Sequence, residues 1–206
     1  MAPKMPQEYF DLRRQQILKA AWECFADKGS RETTIRDIAR EMKVSTGVIY
    51  NYFKSKEEII EALHTWSMEN KAKLFEDLAK KDSPRKSLED LFRLSFECCS
   101  ESDFKKSMRA DINVWADALK SMHLIEKFNI QHEYLKNKIA AFIRDGIEKG
   151  EFRSCVNPES YAEFVIAVII GIQVQGALVH DFSVGTNFKN IKTVLFSNNW
   201  EHEDRT

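Results

Sequence analysis

Thr33-Thr34-Ile35-Arg36-Asp37-Ile38-Ala39-Arg40-Glu41-Met42-Lys43-Val44-Ser45-Thr46-Gly47-Val48-Ile49-Tyr50-Asn51-Tyr52-Phe53-Lys54-Ser55-Lys56 is the stretch that decides the fold. It reads as two short helices joined by a tight turn, the shape with which a protein lays one helix in the DNA major groove. Ile35, Ile38, Ala39 and Met42 recur at i, i+3, i+4 and i+7 and make one apolar stripe, while Arg36, Asp37, Arg40 and Glu41 face away. The second helix buries little beyond Ile49 and Phe53. It leaves Thr46, Gly47, Tyr50 and Tyr52, beside Ser45, on a polar outer surface whose hydrogen-bonding groups have no core to enter.

The surroundings extend the pattern. Ile17-Leu18-Lys19-Ala20-Ala21 and Phe25-Ala26-Asp27-Lys28-Gly29 precede the turn; Val44-Ser45-Thr46-Gly47, Ile49-Tyr50-Asn51-Tyr52-Phe53 and Lys56-Glu57-Glu58-Ile59 follow it. Together these residues resemble the tetracycline-repressor (TetR) family of bacterial regulators over residues 13 to 63. A lone helix-turn-helix pattern is a weak signal, whereas a combination of this length is specific. One departure is Lys43, where the family usually has glycine. A side chain in the left-handed region at a helix end costs roughly 1 kcal/mol, so the turn is expected to be strained or to close in another geometry.

Glycine (7) and proline (4) are scarce, and no period-2 run of β-branched residues is bounded by turn signals, so the chain reads as all-α with about nine helices. Helix one runs from about Glu8 to Lys28, with Gly29 as its stop. Thr34, Ser45 and Ser55 are the expected N-caps of helices two, three and four, the last reaching about Lys80. Ser83-Pro84 and Asn157-Pro158 pair a capping side chain with proline at the first helical position, opening helix five and a helix eight that runs to about His180. Between them lie a sixth helix from Ser102 to about Leu119 and a seventh from His123 to Lys149, ended by Gly150. A ninth runs from Thr186 or Asn187 to Ser197, and the tail from Trp200 to Thr206 is polar. The expected division is a three-helix DNA-binding domain over 1–54 and a helical bundle for ligand binding and dimerisation over 55–206.

Val165, Ile166, Val168, Ile169, Ile170 and Ile172 point in every direction around helix eight, and a helix apolar all round must be covered on all sides. One face can enter a five-helix body; the other needs a further surface. Gly171, Gly176 and Ala177 permit close approach of a partner helix. Helices eight and nine are therefore expected to pair with their copies across a two-fold axis, through Val165, Ile169, Ile172, Gly176, Phe188, Val194 and Leu195.

Position by position, the resemblance implies groove contacts from Thr46, Gly47 and Tyr50 and phosphate contacts from Ser45, Tyr52 and Lys56. It adds contacts from Thr34 and Arg36 in the preceding helix, and backbone contacts from Arg13 and Arg14. Tyr50 has a second reading, in which its ring packs on helix one. A symmetric dimer presents two such helices, so the operator is expected to be an inverted repeat with half-sites about one helical turn apart or somewhat more. The family's body encloses an inducer pocket. Trp115-Ala116-Asp117-Ala118 and Gly150-Glu151-Phe152-Arg153 resemble the choline-responsive branch. The implied lining is Trp66, Phe96, Phe104, Met108, Trp115, Phe142 and Gln173, for a small hydrophobic or aromatic effector. Met122, Phe128, Tyr161 and Phe164 add to the large side chains of this body, which serve equally as core.

Charge is distributed to suit such a division. The net is -1, yet residues 1–56 carry eleven Lys/Arg against seven Asp/Glu and residues 57–206 carry twenty against twenty-five. The basic excess sits with the turn motif. No H-E-x-x-H, G-x-S-x-G, Walker or Rossmann pattern is present, so neither catalysis nor a cofactor is expected. Cys24, Cys98, Cys99 and Cys155 offer no C-x-x-C spacing and fit a reducing cytoplasm, with Cys98 and Cys99 open to a redox role. The longest apolar run, Phe164 to Ile172, is nine residues where a membrane span needs about twenty. A competing reading is a helical adaptor or DNA-binding protein without small-molecule input.

Overall fold

The computed structural model describes residues 7–97, 102–119, 122–180, 182 and 184–196. Among them are nine α-helices and no strand: α1 (Gln7–Lys28), α2 (Ile35–Glu41), α3 (Thr46–Tyr50), α4 (Lys56–Ala79), α5 (Pro84–Glu97), α6 (Ser102–Ala118), α7 (Met122–Glu148), α8 (Pro158–Leu178) and α9 (Val184–Phe196). Cys98, Cys99, Ser197 and the tail from Trp200 lie outside the described residues, as does the side chain of Phe96.

The helix ends follow from local chemistry. Gly29 (φ 82) and Gly150 (φ 72) stop α1 and α7 in the left-handed region that glycine tolerates. Thr34 forms a full capping box with Asp37: the Asp37 amide donates to Thr34 Oγ1 at 3.2 Å, and Asp37 Oδ2 accepts from the Thr34 amide at 3.0 Å. Ser55, Ser83 and Asn157 accept from the amides of Glu58, Lys86 and Ser160 at 3.2, 3.1 and 2.9 Å. Ser45 occupies the N-cap position of α3 but makes no side-chain cap bond. α9 opens at Val184, earlier than Thr186 or Asn187.

Lys43 settles the question of the turn. Its φ is 56, and the amides of Lys43 and Val44 donate to the carbonyls of Arg40 and Ala39 at 3.0 and 2.9 Å. That pair of bonds is a Schellman end with lysine where glycine is usual. The turn keeps the left-handed geometry and carries the strain.

The chain divides into two compact units. The first comprises residues up to 72 together with 106–128. Its interior is built from Ile17, Ala21, Phe25, Ile38, Ile49, Phe53 and Ile59, all essentially inaccessible; each isoleucine or phenylalanine among them contributes about 1.5–3 kcal/mol by leaving water. Ile35 and Met42 pack partly buried against this core, so the expected stripe of α2 holds. Buried Thr33 is satisfied, its hydroxyl donating to the carbonyls of Gly29 at 2.8 Å and Cys24 at 3.1 Å. Burial, with Glu41 and Asp37 nearby, pushes the Cys24 thiol up.

The second unit comprises 73–105 and the residues from 129 onward. Phe75, Leu88, Phe92, Ile143, Ala162 and Val165 form its interior, with the Phe75 ring 6.0 Å from Phe142 and 6.4 Å from Tyr134. Gly150-Glu151-Phe152 closes α7 onto α5. The Glu151 carboxylate accepts from the Ser83 hydroxyl at 2.9 Å and the Arg85 amide at 2.8 Å, a negative charge at the positive end of α5. Phe152 lies on Gly146, where a Cβ would come within 2.2 Å of the ring. The Tyr161 hydroxyl donates to the Leu195 carbonyl at 3.1 Å and joins α8 to α9. Burial pushes that phenol up to about 12.

α8 corrects one expectation. As formed it is 21 residues long and, by length and composition, apolar enough to cross a membrane. Gln173 and Gln175 interrupt the run of apolar letters without bringing charge, so counting the run understated the helix. Ala162, Val165, Ile166, Ile172 and Gly176 are buried, which gives α8 an inner face of protein.

Candidate nucleic-acid interface

α3 is held from one side only. Ile49 is fully buried and Val48 packs partly buried on the core, while Ser45 and Gly47 are exposed and Tyr50 is 55% exposed. A Cβ built on Gly47 would meet Ser45 Oγ at 3.8 Å and nothing else within 4 Å. Among the described residues, then, no side chain or turn crowds position 47. Thr34 and Arg36 are exposed at the start of α2. The Asp37 carboxylate is engaged by Lys28 at 2.9 Å, by Thr34 and by Arg40 at 3.3 Å, and the bonds from Lys28 and Thr34 hold it well below the usual carboxylate range.

Tyr52 departs from the expected outer surface. α3 ends at Tyr50, and the chain then turns back toward α1, carrying Tyr52 and Phe53 inward together. Tyr52 is 9% exposed, its ring 4.7 Å from that of Phe10. The ring that packs on α1 is thus Tyr52, and Tyr50 stays outside. Arg14 takes part in the same closure: its guanidinium donates to the Tyr52 carbonyl at 2.7 Å and stacks 4.1 Å from the Phe53 ring centroid. Arg13 is half-buried, donating to Gln16 at 2.7 Å, with the Tyr9 ring 5.9 Å away. Lys56 turns its ammonium onto the carbonyls of Ser30, Arg31 and Thr33. Side-chain type and spacing carried no sign of these internal roles.

The residues expected around an effector are divided between the units. Trp66, Met108 and Trp115 belong to the first; Phe104, Phe142 and Gln173 belong to the second, with the Gln173 side-chain amide donating to the Ser95 carbonyl at 3.4 Å. Met108 and Phe104 are buried, Trp115 and Phe142 half-buried, and Trp66 is exposed. Met122, Phe128 and Phe164, counted among the large residues of the body, lie outside it at 80%, 38% and 48% exposure. Two ionisable side chains of the first unit escaped notice in the sequence. Burial raises the Asp111 carboxyl to about 6 against the opposing pull of Lys71, and burial lowers the Lys71 ammonium.

On α8 and α9, Val165, Ile172 and Gly176 are buried, Ile169, Phe188 and Leu195 are half-buried, and Val194 is exposed. The stripe that α8 turns outward contains Phe164, Ala167 and Leu178 with half-buried Gly171. A Cβ on Gly171 would meet nothing within 4 Å.

A helix-turn-helix whose second helix is pinned from behind and polar in front, followed by a helical body, defines the class of DNA-binding transcriptional regulators. The model of the bacterial regulatory proteins of the tetR family matches residues 17–63, and that of the BetI-type transcriptional repressor C-terminal region matches residues 84–186. The HTH-type transcriptional repressor KstR2 of Mycolicibacterium smegmatis is 26% identical over 172 residues, which is 80% of this chain and 79% of KstR2. Among solved structures, a putative transcriptional regulator from Saccharomonospora viridis in complex with choline superposes with a TM-score of 0.79 at 22% identity, covering 91% of this chain and 97% of its own. FadR from Bacillus subtilis in complex with stearoyl-CoA does so with a TM-score of 0.70 at 21% identity, covering 89% and 97%. The chain belongs to the TetR family of bacterial regulatory proteins, with a C-terminal region of the BetI-type transcriptional repressor kind.

Proposed function

We propose that the protein binds an inverted-repeat DNA operator as a homodimer and is released from it by a small, largely apolar effector. The observation that carries this reading is the outward side of α3, where Ser45, Gly47 and Tyr50 are exposed over a core that has no use for them. Thr46, Gly47 and Tyr50 face base edges. Ser45, whose hydroxyl makes no cap bond, takes a phosphate with Thr34, Arg36 and Arg13. Phosphate contacts fix register and base contacts specify sequence. Arg14 and Tyr52 support this surface from behind.

Residues 1–54 form the DNA-binding domain and 55–206 the ligand-binding and dimerisation domain in this reading, and the protein works in the cytoplasm. Dimerisation uses the face of α8 that the chain leaves open, with Phe164, Gly171 and Leu178, together with Ile169 and with Val194 on α9; Val165, Ile172 and Gly176 serve the protomer's own core. The small side chains of Ala167 and Gly171 admit close approach of the partner helix. The effector enters among the large residues of the body, Trp66 and Trp115 foremost. It releases the operator in proportion to its preference for the state that does not bind DNA.

The experiment is a thermal-shift screen of hydrophobic metabolites, followed by operator binding with each hit present. Hits that weaken operator binding at least tenfold support the reading. A ligand that saturates the body and leaves operator affinity unchanged refutes the coupling and favours a DNA-binding protein without small-molecule input.

A further inference from the structure

Among the described residues Lys43 is the one side-chain-bearing residue at positive φ, at 56. Only glycine takes up that conformation without cost, and an outlier of this kind points to a use for the side chain. The segment around it alternates. Met42, Val44 and Val48 pack partly buried against the core of the head, whereas Lys43, Ser45 and Gly47 are exposed. Lys43 thus stands with Ser45 and Gly47 on the outward side, immediately ahead of α3. Other cations of the head are engaged within the protein. Lys28 and Arg40 bond Asp37 at 2.9 and 3.3 Å, and the Arg14 guanidinium donates to the Tyr52 carbonyl at 2.7 Å. The Lys43 ammonium makes no hydrogen bond or ion pair with the described residues. A recognition helix meets the bases with its N-terminal residues, so the turn just ahead of it comes close to the backbone that borders the groove.

We propose that Lys43 binds a phosphate of the duplex backbone beside the groove that α3 enters. The contact adds affinity without sequence preference. Glycine at this position would relax the turn and lose the charge. This inference rests on the reading that the head binds duplex DNA.

The test uses the full chain as wild type, Lys43→Gly, Lys43→Met, Lys43→Arg and Lys19→Met, the last removing an exposed lysine of α1. Binding to an operator duplex selected from a random pool, and to unselected random duplex, is followed by fluorescence anisotropy across a salt series. Random duplex alone decides where selection enriches nothing. Losing one phosphate contact makes the slope of log K against log salt shallower by about 0.9 for each chain bound. The proposal predicts that loss in both Lys43→Gly and Lys43→Met, with binding about fivefold weaker per chain near 0.15 M salt on either duplex. Lys43→Arg and Lys19→Met should keep the wild-type slope within about 0.2. Lys43→Gly should bind more weakly while melting no lower than wild type, which separates lost charge from lost fold. A wild-type slope in Lys43→Gly or Lys43→Met overturns the proposal. So does an equal loss in Lys43→Arg, which keeps the charge, or in Lys19→Met, which would make the effect one of net charge. If wild type binds no duplex at any salt, the reading of the head fails and the phosphate contact falls with it; duplex binding with unchanged slopes in the variants overturns the contact alone.

Discussion

Gly47→Ala separates a glycine kept for the protein from one kept for the DNA. The added methyl carbon projects about 1.5 Å from the backbone, and inside the protein it finds Ser45 Oγ at 3.8 Å, an ordinary contact. No clash offsets the helical preference of alanine, which is worth about 0.8–1.0 kcal/mol in a helix interior and roughly half of that near an end. In a chain of this size 1 kcal/mol moves the melting temperature by about 2–4 °C, so the variant should melt about 1–2 °C higher than wild type. If the backbone at position 47 lies against the bases, the same methyl obstructs that approach, and operator affinity should fall tenfold or more, about 1.4 kcal/mol. Random duplex, held through phosphates, should lose less than about threefold. Calorimetry and fluorescence anisotropy on one preparation give both numbers. Operator binding within about twofold of wild type, with the stability gain present, refutes the placement of Gly47 at the groove.

Lys43→Gly should raise stability by about 1 kcal/mol over Lys43→Ala, because only glycine relieves the positive φ; equal denaturation midpoints for the two variants would remove the strain. Asp111 and Asp37 should respond to acid with opposite signs. The Asp111 carboxyl, raised to about 6 in the folded chain, binds protons before the unfolded chain does, so its contribution to stability grows as pH falls from about 7 to about 4. Asp37 is held low by Lys28 and Thr34, so its contribution is intact at neutral pH and is lost below about pH 4. Urea midpoints across this range should show the first effect vanish in Asp111→Asn and the second in Asp37→Asn. Gly171→Leu should weaken the dimer while leaving the protomer folded, because a side chain there meets open space within the chain. Light scattering should then shift from twice 24.0 kDa toward 24.0 kDa, and an unchanged dimer would place the interface elsewhere.

What was legible in the sequence was whatever a single residue type enforces. Gly29 and Gly150 stop their helices because of their backbone freedom, and Ser83-Pro84 and Asn157-Pro158 start theirs because serine or asparagine caps and proline has no amide to lose. The stripe of α2 and the inward pair Ile49 and Phe53 follow from helical period. Chain reversal hid the rest. Tyr52 stands two residues beyond Tyr50, past the end of α3, where helical period no longer says which way a side chain faces. Arg14 and Lys56 look like phosphate ligands by charge, and their acceptors are carbonyls 23 to 38 residues away in the chain, which no local pattern encodes. α8 is apolar on every side, so its sequence has no period to separate Val165 and Ile172 inside from Phe164 and Leu178 outside. Lys71 and Asp111 gain their altered acidity from burial, and two charged letters on different helices carry no trace of it.

Selection of bound fragments from a pool of random duplexes by the full-length protein tests the central claim most directly. The account predicts enrichment of one inverted repeat, its half-sites about one helical turn apart or somewhat more, bound by two copies of the chain and lost in Gly47→Ala. Recovery of the pool without enrichment, or of a single unrepeated site bound by one copy, would contradict it.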